Sequence, residues 1–186
     1  MIHESIVISK SNGKIHIAPM GIEMNSELVI IKPFKPSTTL ENLKNNGIAT
    51  VNFTDDVRIF AGIVSGFKKN WDIIDNNKFD IPRLKIANTH LDVKVQKVFD
   101  NDLRPKIECQ ILNKAMHFPF HGFNRAQFSV IEASVLISRM GIISMEKIED
   151  EIKYLKIGID KTAGSKEKEA WDWIEKSINN YRKKND

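Results

Sequence analysis

The stretch that decides the fold is Leu28-Val29-Ile30-Ile31-Lys32-Pro33-Phe34-Lys35-Pro36-Ser37-Thr38-Thr39-Leu40-Glu41-Asn42. It begins with a continuous apolar run, which predicts a strand that is buried on both faces. A short loop stiffened by proline follows, and residues 38–46 predict a helix. Thr38 is its expected N-cap, because Glu41 three residues later completes a capping box. Gly47 then provides the C-terminal stop.

The start of this helix has the composition of an anion site. A helix N-terminus offers unpaired N–H groups and a partial positive charge, and Ser37, Thr38 and Thr39 add hydroxyl donors. Lys32 and Lys35 add full positive charge in the loop before it. The pattern is therefore consistent with a site for a phosphate monoester. An ordinary capped helix with solvated lysines fits the same residues, and spacing alone favours that simpler interpretation.

The segments around this stretch predict antiparallel strands. Asn12-Gly13, a strong hairpin signal, separates alternating segments at residues 5–11 and 14–24. With the apolar run they predict a three-stranded meander. The other strands are expected at residues 48–53, 91–95 and 107–111. The last two, which Asp100-Asn101-Asp102 joins, alternate regularly, and this predicts one dry and one wet face on each.

The hydrophobic period changes from two to 3.6 residues after residue 122. Three amphipathic helices are expected there, the first with Asn124 as its N-cap and the second ending at Gly164. Earlier in the chain, residues 55–63 predict a short helix and residues 68–88 a loop. Strands first and helices last indicate an α+β fold with an antiparallel sheet. The expected division is a barrel over residues 1–118 and a helical extension over 119–186, within one structural unit.

Composition narrows the possible functions. The chain of 186 residues has a net charge of +4, and its basic residues are spread out apart from Arg182-Lys183-Lys184. Nucleic-acid binders usually concentrate such residues on one face, so a small anionic ligand fits the charge at least as well. Cys109 is the only cysteine, which excludes an intrachain disulfide. Because neither a signal peptide nor a spanning segment is expected, we predict a cytoplasmic protein that binds neither membrane nor nucleic acid.

Other catalytic and metal motifs are weak or missing in the sequence. His117 and His121 have a spacing that zinc sites use, but Pro119 between them disfavours a shared helical face. We therefore expect no metal. Cys109 lies on an alternating strand and reads as a small core residue rather than a nucleophile. The sequence has no dinucleotide fingerprint and no P-loop.

The order of these elements resembles the flavin-reductase-like split barrels. In that superfamily a Thr-x-x-Asn pair lies on the short helix and a Val-Asn-apolar strand follows it. The matching residues here are Thr39 with Asn42, and Val51-Asn52-Phe53. The segment Ile17-Ala18-Pro19-Met20 resembles the superfamily's Ala-Pro segment, whose backbone faces the flavin ring. Each motif is short, and their order and spacing carry the resemblance.

A narrower resemblance covers nearly the whole chain. Its segments are Pro119-Phe120-His121-Gly122-Phe123-Asn124-Arg125-Ala126, Val130-Ile131-Glu132-Ala133-Ser134 and Lys161-Thr162-Ala163-Gly164. They are similar to a family of microbial proteins, common in archaea, that are FMN-binding split barrels with appended helices. This resemblance implies an antiparallel split β-barrel followed by a C-terminal three-helix extension, with FMN as the cofactor. Split barrels usually place FMN at a subunit interface, so it also implies a homodimer.

The resemblance further implies roles for individual residues. Those expected to hold the FMN phosphate are Ser37, Thr38, Thr39 and one or both of Lys32 and Lys35. Those expected near the flavin ring or ribityl chain are Pro19, Met20, Pro33, Asn42 and Asn52. One departure leaves the ion-pairing residue open. The related enzymes usually place an Arg in the phosphate loop, whereas the nearest cations here are lysines, which lack the bidentate fork of Arg.

Arg125 is a further candidate ligand. If Asn124 is the N-cap, Arg125 lies in the first turn of the helix, where a cation opposes the helix dipole. That placement calls for an anionic partner, which could be FMN, a substrate or a carboxylate such as Glu132.

The leading hypothesis is a flavin-dependent oxidoreductase, with a substrate and an electron donor that the sequence does not name. A non-catalytic flavin-binding or regulatory module is the first alternative. The second is a basic adaptor that binds nucleic acid through the lysine-rich C-terminal segment, which would make binding strongly salt-dependent.

Overall fold

The computed structural model describes residues 1–76 and 78–185. The chain divides into two compact units. The first combines residues 1–54 with residues 70–120, and the second combines residues 55–69 with the residues from 121 onward.

The first unit is an antiparallel barrel. Its strands are β1 (Ile2–Ser11), β2 (Lys14–Met24), β3 (Leu28–Ile31), β4 (Ile48–Phe53), β5 (Ile73–Ile74), β6 (Arg83–Leu84), β7 (Thr89–Phe99) and β8 (Lys106–Met116). Six of them close the barrel in the order β1-β2-β3-β8-β7-β4, while β5 and β6 form a separate two-stranded sheet. Helix α1 (Thr38–Asn46) connects β3 to β4. The predicted α+β fold with an antiparallel split barrel is thereby confirmed.

The opening hairpin also forms as predicted. Asn12 and Gly13 have φ angles of 50° and 74°, as a two-residue hairpin turn with two left-handed positions requires. The expectation that β3 is buried on both faces is wrong. Val29 and Ile31 are completely buried in the barrel core, but Leu28 and Ile30 are only partly buried. In a strand of a closed barrel only every second residue points into the barrel, so the residues between them do not reach the barrel core.

Helix α1 spans the predicted residues, but its N-cap lies one residue earlier than expected. Its N-cap is Ser37, whose backbone is extended and whose Oγ accepts a hydrogen bond from the Leu40 N–H. Thr38 is therefore already inside the helix, and the capping box that paired it with Glu41 is wrong. The helix ends as predicted, since Gly47 is a left-handed C-cap with φ of 70°.

The prediction of one dry and one wet face fails for β7. Leu91 and Val93 face the core, yet His90 and Asp92 on the other face are also buried. Residues 76 and 78–88 cover that outer face, and side chains of the barrel form hydrogen bonds with Asn76, Pro82 and Leu84 of this segment. The predicted loop at residues 68–88 is thus a cover that contains β5 and β6, with Asn77 outside the described residues.

The second unit is helical. It contains α2 (Arg58–Ser65), α3 (Arg125–Ile137), α4 (Met145–Thr162) and α5 (Ser165–Asn185). Asn124 is the N-cap of α3, as predicted, and accepts hydrogen bonds from the N–H groups of Ala126 and Gln127. In the described part of the chain, no helix is long and apolar enough to cross a membrane.

Helix α2 differs from the prediction in its bounds and in the core to which it contributes. It was expected at residues 55–63 and forms at Arg58–Ser65. The expected division placed it with the barrel, but Val57 and Ala61 are buried in the same core as residues of α3, α4 and α5. The boundary drawn between residues 118 and 119 otherwise stays a prediction.

Candidate functional site

The loop that leads into α1 meets the loop that leads into β8. We call these two segments, residues 32–37 and 100–104, the rim. The Lys35 N–H donates to the Leu103 carbonyl at 3.0 Å, and Arg104 Nε donates to the Lys32 carbonyl at 2.9 Å. The Arg104 guanidinium also lies 4.6 Å from the centre of the Phe34 ring. Phe34 and Leu103 are 58% and 63% exposed, so the rim presents apolar surface to solvent.

The two lysines of the rim are already paired with carboxylates. Lys32 Nζ lies 2.5 Å from Glu23, and Lys35 Nζ lies 2.8 Å from Asp100. The hydrogen bond from Lys35 lowers the pKa of Asp100, and the one from Lys32 lowers the pKa of Glu23. Much of the positive charge that the sequence analysis assigned to a phosphate is therefore neutralised within the protein.

Arg104 is a cation that the sequence analysis missed. Among the described residues its guanidinium has no carboxylate partner, and of the guanidinium nitrogens only Nε donates a hydrogen bond. It lies 67 positions beyond Ser37 in the chain, and the pairing of Ile31 with Ile107 brings its loop to the rim. Only knowledge of that strand register would have pointed to it.

The first turn of α1 keeps unused hydrogen-bond donors. The N–H groups of Leu40 and Glu41 are capped by Ser37, whereas those of Thr38 and Thr39 have no partner among the described residues. Thr38 is exposed. Thr39 is completely buried, and its Oγ1 has no hydrogen-bond partner in the part of the chain that the structure describes.

Asn42 and Asn52 are engaged inside the barrel unit. The Asn42 amide donates to Ser9 Oγ at 3.1 Å and ties α1 to β1. Asn52 is completely buried, and its amide donates to the Ile6 carbonyl and accepts from the Leu84 N–H. Both amides therefore have structural roles, and the structure does not leave Asn52 unpaired for a ligand.

The remaining candidates belong to β2, to the rim and to the helical unit. Pro19 and Met20 are half-buried in β2, where the Met20 carbonyl accepts a 2.7 Å hydrogen bond from Ser5. Pro33 is buried within the rim. Arg125 is exposed at the start of α3 and belongs to the helical unit, so its ligand role stays a prediction.

A second polar cluster lies on the covered outer face of the barrel. We call Asn76, His90, Asp92, Asn113 and His117 the outer network. Asp92 accepts hydrogen bonds from Asn76 at 3.0 Å and Asn113 at 2.8 Å, and His90 Nδ1 lies 2.8 Å from His117 Nε2. His117 and His121 have a spacing that zinc sites use, whereas the structure pairs His117 with His90. Within residues 1–76 and 78–185, no cluster of three His, Cys, Asp or Glu side chains could hold a metal ion.

The core character of Cys109 is confirmed. Its side chain is completely buried in the barrel, and burial raises the pKa of its thiol to about 12. A thiol that stays protonated at neutral pH is a poor nucleophile.

Solved structures show which folds the chain resembles. An FMN-bound protein from Methanosarcina mazei aligns with a TM-score of 0.80 at 24% identity, over 95% of this chain and 94% of that one. A flavoredoxin from Methanosarcina acetivorans aligns with a TM-score of 0.51 at 14% identity, over 62% and 69%. A 2-nitrobenzoate 2-nitroreductase from Pseudomonas fluorescens aligns with a TM-score of 0.54 at 20% identity, over 61% and 64%. No curated protein was found to match the sequence.

Family models cover most of the chain. Residues 3–117 match the N-terminal domain of the protein family of unknown function DUF447. Residues 124–176 match the second DUF447 model. The Methanosarcina mazei structure carries the same family assignment. The chain therefore belongs to the DUF447 family.

Proposed function

We propose that this protein binds FMN at the start of α1 and acts as a flavin-dependent oxidoreductase. One observation carries the proposal. A member of the same family, similar along 95% of this chain, is FMN-bound, and the first turn of α1 has backbone N–H groups without a partner among the described residues. The substrate and the electron donor stay open.

The first turn of α1 suits a phosphate. Two backbone N–H groups, of Thr38 and Thr39, have no partner among the described residues, and the helix dipole favours an anion there. The Ser37 oxygen accepts the Leu40 N–H, so its own hydrogen can be donated to a phosphate oxygen. Thr38 is exposed and adds a second hydroxyl.

Arg104 is our candidate for the missing phosphate-loop arginine. Lys32 and Lys35 are held by carboxylates, whereas the terminal nitrogens of Arg104 have no partner in the described chain. A planar guanidinium can bind two phosphate oxygens at once, which an ammonium group cannot. The hydrogen bond from its Nε to the Lys32 carbonyl holds the guanidinium at the rim.

The ring of FMN would lie against backbone near Pro19, Met20 and Pro33. Bound FMN would supply hydride transfer, while the protein would orient it and limit the access of water. Exposed Phe34 and Leu103 give the rim an apolar surface that suits a flat ligand. Such an arrangement needs few catalytic side chains of its own.

We further propose a homodimer in the cytoplasm. Burying Phe34 and Leu103, both largely exposed in the single chain, would favour association of two copies. A single buried cysteine is compatible with a reducing compartment.

The test is a titration of the purified protein with FMN and, separately, with riboflavin, which lacks the phosphate. We expect a bound-flavin absorption band and tighter binding of FMN than of riboflavin. Anaerobic NADH and NADPH would then be added, and bleaching by either would support the oxidoreductase and identify its donor. A band that no donor bleaches would favour the non-catalytic module. No binding at micromolar FMN would reject the proposal, and a salt-dependent gel shift would then test the nucleic-acid adaptor.

A further inference from the structure

A pocket opens on the surface of the helical unit. Its volume is about 300 Å³, at the lower end of the range for small-molecule sites. One wall is formed by Ser177, Asn180, Tyr181 and Lys184 of α5, a second by residues 65–67 at the end of α2, and a third by Met140 between α3 and α4. We call it the helical pocket. All of these residues belong to the same compact unit.

The wall on α5 follows from the period of the helix. Residues at positions i, i+3, i+4 and i+7 share one face of a helix, and the four α5 residues of the pocket have this spacing. The apolar stripe of α5, which includes Trp171, Ile174 and Ile178, is buried in the helical core. Polar side chains therefore lie beside that stripe in the C-terminal half of α5, where the end of α2 approaches.

Two glycines shape the other walls. Gly66 is the left-handed C-cap of α2, with φ of 80°, and its N–H closes the last turn of that helix. Gly141 has φ of 87° in the connection between α3 and α4, and a Cβ there would lie 3.4 Å from the Tyr181 hydroxyl. Glycine adopts these backbone angles readily, and most other residues do not. The turns that carry Phe67 and Met140 are therefore fixed by the fold, so the pocket does not need a ligand to form.

The polar side chains of the helical pocket have no partner among the described residues. One is a cation, the Lys184 ammonium group, and three are neutral donors, on Ser177, Asn180 and Tyr181. By contrast, Arg182 on the same helix forms an ion pair at 2.6 Å with a carboxylate of α4. The pocket therefore keeps several donors available to a ligand.

The charge of the helical pocket favours an anion. No carboxylate is among the described residues that line it, so the formal charge of the lining is positive. Lys69 adds a second cation close by, since its Cε lies 3.6 Å from the position of a Cβ at Gly66. The C-terminal ends of α2 and α5 oppose an anion, but two helix dipoles amount to roughly one negative charge. Two lysines therefore leave the balance positive.

We propose that the helical pocket binds a small organic anion, a molecule with a carboxylate or phosphate group on an apolar body. Lys184 supplies the charge, and the three neutral donors of α5 bind the anionic oxygens. The Phe67 ring, which is 46% exposed, and the Met140 side chain contact the apolar part. Such a ligand matches a pocket whose polar wall faces two walls with apolar side chains.

This site is separate from the one proposed for FMN. The helical pocket belongs to the second compact unit, whereas the rim and α1 belong to the first. The inference therefore does not rest on FMN binding and can fail or succeed independently of it.

The first experiment follows the methionine methyl groups of the full chain by ¹³C NMR. The sequence has six methionines, and Met140→Leu and Met20→Leu identify two of the signals. The probes are benzoate, phenyl phosphate and neutral benzamide. We expect a saturable shift of the Met140 signal with one or both anions, and none with benzamide. A response to phenyl phosphate alone identifies a phosphate ligand, and one to benzoate alone a carboxylate.

Three outcomes of this titration would overturn the proposal. They are no saturable shift with either anion, a shift with benzamide as large as with the anions, and a shift of the Met20 signal alone, which would place the probe in the barrel unit.

Matched lysine variants test the role of the charge. Lys184→Gln should weaken anion binding about tenfold. Lys183→Gln removes the same charge outside the pocket and should leave binding unchanged. Tyr181→Phe keeps the ring but removes the hydroxyl, and should weaken binding about fivefold. Equal losses for the two lysine variants would indicate general attraction to the basic end of α5 and would overturn the proposal.

Discussion

The rim and the outer network contain similar polar residues, but these residues have different roles in the two regions. In the outer network the polar groups are buried or half-buried and bind one another, as Asp92 does with Asn76 and Asn113. At the rim and the first turn of α1, the two lysines are paired with carboxylates at the surface, while Arg104 has no carboxylate partner and two backbone donors of α1 have no acceptor among the described residues. Buried polar groups that satisfy one another stabilise a fold, and unused donors at a helix start are available to a ligand. Substitutions should therefore change stability in one region and affinity in the other.

The largest effect is expected for Asp92→Ala. Removing this completely buried carboxylate leaves the amides of Asn76 and Asn113 without their acceptor. We expect the free energy of unfolding to fall by about 3 kcal/mol, measured by urea denaturation. Asp100→Ala is the matched control in the rim, because Asp100 is a surface carboxylate with one lysine partner. Equal losses in the two variants would contradict the contrast between the regions.

The same carboxylate predicts a pH dependence. The pKa of Asp92 is lowered in the folded protein, so its contribution to stability is complete above the unfolded pKa of about 3.9. That contribution is lost as pH falls below this value and through the folded pKa. Wild-type protein should therefore lose more stability than Asp92→Ala between about pH 4 and pH 2. Parallel acid-denaturation curves would show that Asp92 titrates alike in both states.

At the rim the expected effect is on affinity. Arg104→Gln removes the guanidinium that has no carboxylate partner in the described chain, and we expect FMN to bind about tenfold more weakly. Riboflavin binding should not change, because it has no phosphate. Lys35→Gln is the matched control, since Lys35 is already paired with Asp100. A larger loss for Lys35→Gln would make the lysine, rather than Arg104, the phosphate ligand.

Local patterns predicted the barrel well, and they failed where distant segments meet. The hairpin at Asn12-Gly13 and the α1 stop at Gly47 follow from backbone preferences that few other residues satisfy. The burial of His90 could not be predicted in the same way. It depends on the segment that covers the outer face of the barrel, and the sequence of that segment has no regular hydrophobic period. Arg104 reaches the rim only through the register between β3 and β8.

The position of the α1 N-cap, at Ser37 rather than at Thr38, can be tested directly. Ser37→Ala removes the side-chain acceptor of the Leu40 N–H, and we expect it to lower the free energy of unfolding by about 1 kcal/mol. Thr38→Ala should have little effect, since Thr38 is inside the helix and exposed. Thermal or urea denaturation of both variants distinguishes the two N-caps. A greater loss of stability for Thr38→Ala than for Ser37→Ala would instead support Thr38 as the N-cap, with Glu41 completing the capping box.

Thr39 combines features of both regions. Its side chain is buried, as His90 and Asp92 are in the outer network, but its hydroxyl lacks a hydrogen-bond partner among the described residues, as two backbone N–H groups of α1 do. Its Oγ1 has no partner among the described residues, so Thr39→Val should raise the free energy of unfolding by up to about 1 kcal/mol in the absence of flavin. If bound FMN uses this hydroxyl, the same variant should bind FMN more weakly. A stability gain without a change in FMN affinity would make Thr39 a core residue, and the phosphate would then depend on Ser37, Thr38 and the backbone. A loss of stability would mean that the hydroxyl has a partner within the folded protein, and the contrast between the regions would not extend to this residue.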